Sequence, residues 1–275
     1  MHLLITHETV YRYDRLVERS TQYLRLTPRS EHGLKVLSWQ LTLPVLASCC
    51  QDAYGNTTHV LTLDKPVQEI RLLVSGEVQT PDSPPAPCLE DRLPPEVFLR
   101  SSTLTNADTA LRDFALGYAL ALRADPLDGL WQLMRALGRA MHYMPGSTEV
   151  AVPVAQAFAQ GLGGCQNHAQ VLSSCVRLLG LPARYVSGYL VGDATQVASH
   201  AWAEVRLPQG WLGFDVSNQC LVDGRYVRLA IGVDYADACP VRGMRVGGGQ
   251  EQLHAAVQIN VCDGPLADQP FAQQQ

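Results

Sequence analysis

The stretch GGCQNHAQVLSSCVRLLGLPARYVSGYL (163–190), followed by SHAWAEVRLPQGWLGFDVSN (199–218), decides the fold. From Cys165 onward Ala169, Leu172, Cys175, Val176 and Leu179 recur at helical spacing on one face, until Gly180 and Pro182 stop the run. Beyond Pro182 the period becomes that of strands. ARYVSGYLV, SHAWAEVRL and GWLGFDV are short and rich in β-branched and aromatic residues, and the turn Pro208-Gln209-Gly210 joins the last two as a hairpin. A helical block preceding antiparallel strands is an α+β arrangement.

Upstream, Asp125 followed by Pro126 is a start signal for a helix running to Met141. Asn106 is placed to cap an earlier run containing Ala110, Leu111, Phe114, Ala115 and Tyr118. The first eighty residues read as strands. Leu3, Ile5, His7, Thr9, Tyr11 and Tyr13 alternate at period two, and TQYLRLTP, LSWQLTLP, THVLTLDKP and EIRLLVSGEVQT follow as further short runs. Asp52-Ala53-Tyr54-Gly55-Asn56 supplies turn residues between two of them. The expectation is an all-β N-terminal domain over 1–80, folded as a sandwich or open barrel. A proline-rich connection follows over 81–100, then a second domain over 101–265 and a loose tail over 266–275.

A chain of 275 residues with 47% hydrophobic and 17% charged residues has enough apolar surface for a core and too little charge for disorder. Its formal net charge of −5 gives no overall drive toward nucleic acid or anionic membrane. No segment approaches the roughly 18 consecutive apolar residues of a membrane span. MHLLITHETVYRYD lacks the basic start and apolar stretch of a secretory signal, so the expected location is the cytoplasm. In that compartment the eight cysteines, at 49, 50, 88, 165, 175, 220, 239 and 262 with no Cys-x-x-Cys pair, carry neither a disulfide framework nor a zinc-ribbon frame.

Cys165 differs from the other seven by position. It follows Gly163 and Gly164 at a helix start, where unpaired N–H groups and the helix dipole favour a thiolate and can stabilise an oxyanion. A cysteine simply packed against the sheet fits the same position. Downstream, His200 opens one strand and Asp215 closes the other strand of the hairpin, in the order nucleophile, base, orienting acid. If Leu207 pairs with Trp211, however, Asp215 faces Ala203 and not His200, so a triad requires a bulge. Zinc on Cys165, His168 and His200 is the weaker reading, because it consumes the thiolate. Cys49 and Cys50, in a strand-rich segment, read as packing residues. Trp202, Trp211 and Phe214 read as core beneath the site, and Trp202 is also placed to shield a His–Asp contact from water.

The quoted string closely resembles the core of bacterial transglutaminase-like proteins, a branch of the papain-like cysteine enzymes. HYMPGST (142–148), VRLAIGVDYADACPVRG (227–243), VYRYD and DAYGN extend the resemblance over most of the chain. It implies a papain-like core with an N-terminal β-domain and a Cys-His-Asp triad at Cys165, His200 and Asp215. It also implies acyl transfer on a peptide or protein substrate carrying a carboxamide or peptide bond, with no cofactor. Hydrolysis of a peptide or amide bond is the leading expectation. Amine transfer, as in a protein-glutamine transglutaminase, and a non-catalytic peptide-binding module are the alternatives. Gly164 sits beside the nucleophile. Asn167 stands where relatives carry Asp, and His168 stands where an apolar aromatic residue is common, either as a second polar group near the site or at the domain interface. Asn218 falls soon after the Asp and can hydrogen-bond in the site. A homo-oligomer through an exposed strand edge is compatible with this sequence.

Overall fold

Core-facing and solvent-facing side chains alternate along most of His2–Thr27, and the chain there is one 26-residue strand, β1, where two separate strands were expected. The computed structural model describes residues 1–81, 92–144, 152–192 and 198–262. Most of the expected proline-rich connection, part of HYMPGST and the expected tail from 266 lie outside the described residues. β2 (Lys35–Thr42), β3 (Ser48–Gln51), β4 (Thr57–Leu63) and β5 (Val67–Gln79) join β1 in the order β2-β5-β1-β4-β3, as one curled antiparallel sheet. The turn between β3 and β4 closes with the Gly55 N–H donating to Asp52 O at 2.9 Å. Gly55 has φ +83°, a conformation glycine adopts without strain. Cys49 and Cys50, expected to be packed, are exposed on β3 at the sheet edge.

The helical block follows. α1 (Thr109–Leu116) is capped by Asp108, whose side chain accepts from Leu111 N–H at 2.9 Å; the expected cap, Asn106, lies two residues too early. After α2 (Ala119–Ala124), α3 (Pro126–Ala140) begins where Asp125 accepts from the N–H groups of Leu127 and Asp128 at 2.9 and 3.1 Å. Next come β6 (His142–Tyr143), α4 (Val154–Gln160), β7 (Leu162–Gly163) and α5 (Cys165–Leu178). The second sheet is built from β8 (Ala183–Leu190), β9 (Ala198–Leu207), β10 (Gly210–Asp215), β11 (Cys220–Leu221) and β12 (Tyr226–Gly232), in the order β11-β10-β9-β8-β12. α5 covers one of its faces. Val171, Leu172, Cys175 and Val176 pack there against Ala183, Ala203, Val205 and Phe214 in one apolar core.

After α6 (Tyr235–Ala238) the chain leaves this sheet. β13 (Val241–Gly247) pairs with β1 between Val17 and Leu24, and β14 (Glu251–Cys262) pairs with it from Tyr13 back to His2. Residues 241–262 therefore pair with β1 of the N-terminal sheet, although they follow the second sheet in the chain and fall within the 101–265 segment of the sequence reading. Pairing between segments more than two hundred residues apart leaves no local mark in the sequence. The two sheets share an apolar junction, where Tyr189, Val227 and Leu229 join the core of Leu3, Ile5 and Val78.

Beside that junction Glu204 accepts from Arg184 Nε at 2.6 Å and from Arg228 Nη1 at 3.1 Å. Burial alone would raise the Glu204 carboxyl, but the two guanidinium groups outweigh it and hold it at about 2, against 4.5 ordinarily. Because the folded pKa is depressed, the stability this group confers is present above pH 4.5 and is lost as the pH falls toward 2. Urea-denaturation midpoints on either side of pH 4.5 check this, and the acid-side fall is expected to shrink in Glu204→Gln.

Candidate active site

Cys165 is the first residue of α5, with Gly164 as the cap. The approach is tightly built. β6 and β7 pair in parallel, with His142 N–H on Gly161 O at 2.8 Å and Met144 N–H on Gly163 O at 3.0 Å. A Cβ at Gly163 would lie 2.7 Å from the Asn167 Cβ, so the close approach needs glycine. Asn167 Oδ1 accepts from Gly164 N–H at 3.2 Å and closes the helix start. An Asp would accept the same bond, so Asn167 keeps the cap and removes one negative charge near the thiol.

His168 is 2% exposed, with Nδ1 2.9 Å from Gly164 O and Nε2 3.0 Å from Met141 O. It ties the start of α5 to the residue after α3. That place is inside the helical block and not at the junction of the sheets, which corrects the second expectation for this residue. Both ring nitrogens lie against backbone carbonyl oxygens inside the protein, which gives His168 a structural setting.

The hairpin brings His200 and Asp215 together without a bulge. Leu207 pairs with Gly210, not with Trp211, and the loop is only Pro208-Gln209. Continuing this register beyond Phe214↔Ala203 sets Asp215 beside Trp202, on the sheet face that also carries His200. His200 Nε2 lies 2.6 Å from Asp215 Oδ2. Burial alone would lower the imidazole, but its hydrogen bonds with Asp215 and with Cys165 raise it to about 9. The ring is thus shared between the carboxylate and the thiol.

Asp215 is 1% exposed and surrounded by donors. Ser217 Oγ and Asn218 N–H donate to Oδ1 at 2.6 and 3.1 Å, and Asn218 Nδ2 and Tyr226 OH donate to Oδ2 at 2.7 and 2.8 Å. Burial would raise the carboxyl, yet these bonds and His200 hold it well below the usual carboxylate range. The sequence reading reached Asn218 and missed Ser217 and Tyr226. Ser217, two residues after an Asp at a strand end, carried the signal of a side-chain-closed turn. Tyr226, on β12, became visible only with the sheet folded.

Trp202, 1% exposed, packs edge-on against Tyr226 with ring centroids 5.3 Å apart, and Tyr226 lies 5.9 Å from the His200 ring. The two rings close the contact of His200 with Asp215 from one side. Trp211 belongs to the same cluster, whereas Phe214 points to the opposite face, into the core with α5. Cys175 shows the contrasting fate of a thiol in this fold: wholly buried, it is pushed up to about 12 by desolvation.

Residues 118–216 match the model of the transglutaminase-like superfamily, and residues 3–79 match that of the bacterial transglutaminase-like N-terminal region. An uncharacterized protein of Mycobacterium tuberculosis is 32% identical over 273 residues, covering 87% of this chain and 86% of its own. The chain belongs to the transglutaminase-like superfamily. A second relative, an uncharacterized protein of Mycobacterium leprae, is 28% identical over 275 residues, covering 93% of this chain and 97% of its own. The fold extends further than the sequence. The crystal structure of a provisionally assigned cysteine protease from Cytophaga hutchinsonii superposes with a TM-score of 0.75 at 17% identity, over 97% of this chain and 92% of that one. Among the described residues no helix is long and apolar enough to cross a membrane.

Proposed function

We propose that this transglutaminase-like protein is a cysteine-dependent acyl-transfer enzyme that hydrolyses a peptide or amide bond. The observation that carries the reading is one imidazole held between the Asp215 carboxylate at 2.6 Å and the thiol at the start of α5. Cys165 Sγ attacks the substrate carbonyl, and its proton passes to His200. The tetrahedral oxyanion forms at the start of α5, where the Cys165 N–H can reach it. Collapse breaks the C–N bond, His200 returns the proton to the departing amine, and a thioester remains on Cys165. Water, deprotonated by His200, then releases the acid and restores the thiol. Asp215 orients the ring and stabilises its cation throughout.

The substrate in this reading is a peptide or protein. Tyr143 on β6, Met144 just after it and Leu162 on β7 are 50%, 40% and 43% exposed and offer it apolar contact. A reducing compartment such as the cytoplasm would keep Cys165 available as a thiol.

Iodoacetamide is expected to alkylate Cys165 faster than a model thiol near neutral pH, with His200→Ala removing the advantage. Equal rates would leave a non-catalytic binding module as the reading. Glutamine-containing peptides incubated with and without a primary amine, followed by mass spectrometry, divide the chemistry. Cleavage or deamidation as the main product supports hydrolysis; amine incorporation as the main product overturns it.

A further inference from the structure

Among the donors around Asp215, Tyr226 differs in where it comes from. Ser217 and Asn218 follow the carboxylate within three residues, whereas Tyr226 opens β12, with β8 and β9 lying between that strand and β10. Its side chain crosses this width beside Trp202 and His200, with ring centroids 5.3 and 5.9 Å away. The hydroxyl ends between two groups, Asp215 Oδ2 at 2.8 Å and the Sγ of Cys220, on β11, at 3.3 Å.

The protons along this chain can be assigned. An ionised carboxylate only accepts, so the phenol O–H donates to Asp215 and its oxygen is left to accept from the Cys220 S–H. Burial and the Asp215 charge push the phenol far above its ordinary 10, so it remains a donor at neutral pH. Burial likewise pushes up the Cys220 thiol, which keeps its proton. Tyr226 and His200 therefore bond to the same oxygen, which also takes Asn218 Nδ2 at 2.7 Å. Each donor draws charge from Oδ2, so the phenol reduces what the carboxylate can give to the imidazolium. A ring fixed at its hydroxyl by two partners and along its face by Trp202 also sets the direction in which Oδ2 is offered.

We propose that Tyr226 is a positioning residue of the group Cys165, His200 and Asp215: its hydroxyl, held by Cys220, shares Asp215 Oδ2 with His200 and keeps the imidazole a weak enough base to return its proton to the departing amine. The proposal rests on the acyl-transfer reading of that site. General acids work best with a pKa near the working pH, and an imidazole bound to an unshared buried carboxylate would hold its proton too firmly. Among the described residues, the titratable groups that bear on His200 and Asp215 are Cys165 from α5, Cys220 from β11, Tyr226 from β12 and Tyr143 from β6. Tyr226→Phe removes one of these and leaves the others in place.

The full chain, labelled at the histidine ring carbons, would be titrated by NMR, with the His200 signal assigned by its loss in His200→Ala. In Tyr226→Phe, which keeps the ring and deletes one oxygen, the His200 midpoint is expected to rise by about half a pH unit or more. Iodoacetamide alkylation, followed at the Cys165 peptide near neutral pH, is expected to be as fast as in the unaltered protein or faster, because a more basic imidazole favours the thiolate. General damage to the site would slow it. 3-Fluorotyrosine placed at position 226 keeps the ring and donates more strongly, so it is expected to move the midpoint down; it carries the test should the phenylalanine variant fail to fold. A midpoint that stays or moves in the opposite sense in either variant, or slowed alkylation in Tyr226→Phe, overturns the proposal. A raised midpoint in the unaltered protein that neither variant moves overturns this proposal alone, whereas an ordinary midpoint there overturns the acyl-transfer reading and this proposal with it.

Discussion

Asp215→Asn is expected to slow turnover of a cleaved peptide by about 10²–10⁴-fold while leaving the chain folded. The reason lies in the donors around the carboxylate. Oδ2 receives His200 Nε2, Asn218 Nδ2 and Tyr226 OH, and Oδ1 receives Ser217 Oγ and Asn218 N–H. An amide NH₂ in place of Oδ2 would confront three donors and force His200 Nε2 to accept. The ring proton would then sit on the nitrogen facing Cys165, where it blocks acceptance of the thiol proton. An NH₂ in place of Oδ1 keeps the tautomer and still removes the negative charge. In either orientation burial, the largest influence on His200, is left with less opposition, and the imidazole moves down from about 9. The sign for stability follows. A raised His contributes stability below its ordinary 6.5, and this contribution is lost as the pH rises through about 9; the variant lacks it throughout. A turnover number within about tenfold of the wild type would remove Asp215 from the mechanism.

Arg177→Met is expected to lower unfolding free energy by about 3–5 kcal/mol, the range for leaving several buried polar groups unsatisfied. Arg177, in the last turn of α5, is 8% exposed and bonded to oxygens from four places in the chain. Nε donates to Phe98 O and Ala183 O at 3.0 Å each, Nη1 to Thr105 Oγ1 at 3.2 Å, and Nη2 to Ala183 O and Val233 O at 2.7 and 2.6 Å. Burial lowers the guanidinium to about 10, which leaves it charged at neutral pH. Methionine fills much of the volume and satisfies none of these oxygens. Urea denaturation followed by circular dichroism measures the loss. A change below about 1 kcal/mol would mean that water or rearranged backbone replaces the bonds, and would refute this account.

Local chemistry was legible in the sequence where a few neighbouring residues carry it. Asp125-Pro126 marked the start of α3, and Cys165 after two glycines marked that of α5. His200 at the opening of one strand and Asp215 at the close of the next marked the two ends of the hairpin. The hairpin register was misread by a single residue, since Leu207 pairs with Gly210, and that one step had appeared to turn Asp215 away from His200. Asn106 looked as good a cap as Asp108, because capping depends on where the backbone turns helical. What the sequence hid was mostly non-local. Tyr226 reaches Asp215 only through the order of strands in the second sheet, and β14 meets β1 across almost the whole chain.

That last pairing bears on how the protein is made. β5 ends at residue 79, whereas the strand that covers the other side of β1 ends at residue 262. At ordinary translation speeds of about 5–20 residues per second, some 180 residues emerge in between, roughly ten to forty seconds. Throughout that interval the nascent N-terminal sheet offers a long unpaired side of β1 to any other extended chain, including another nascent copy on the same polysome. Full closure of the N-terminal sheet is therefore a late event, and a chain released before these last strands would leave the ribosome with that side of β1 uncovered.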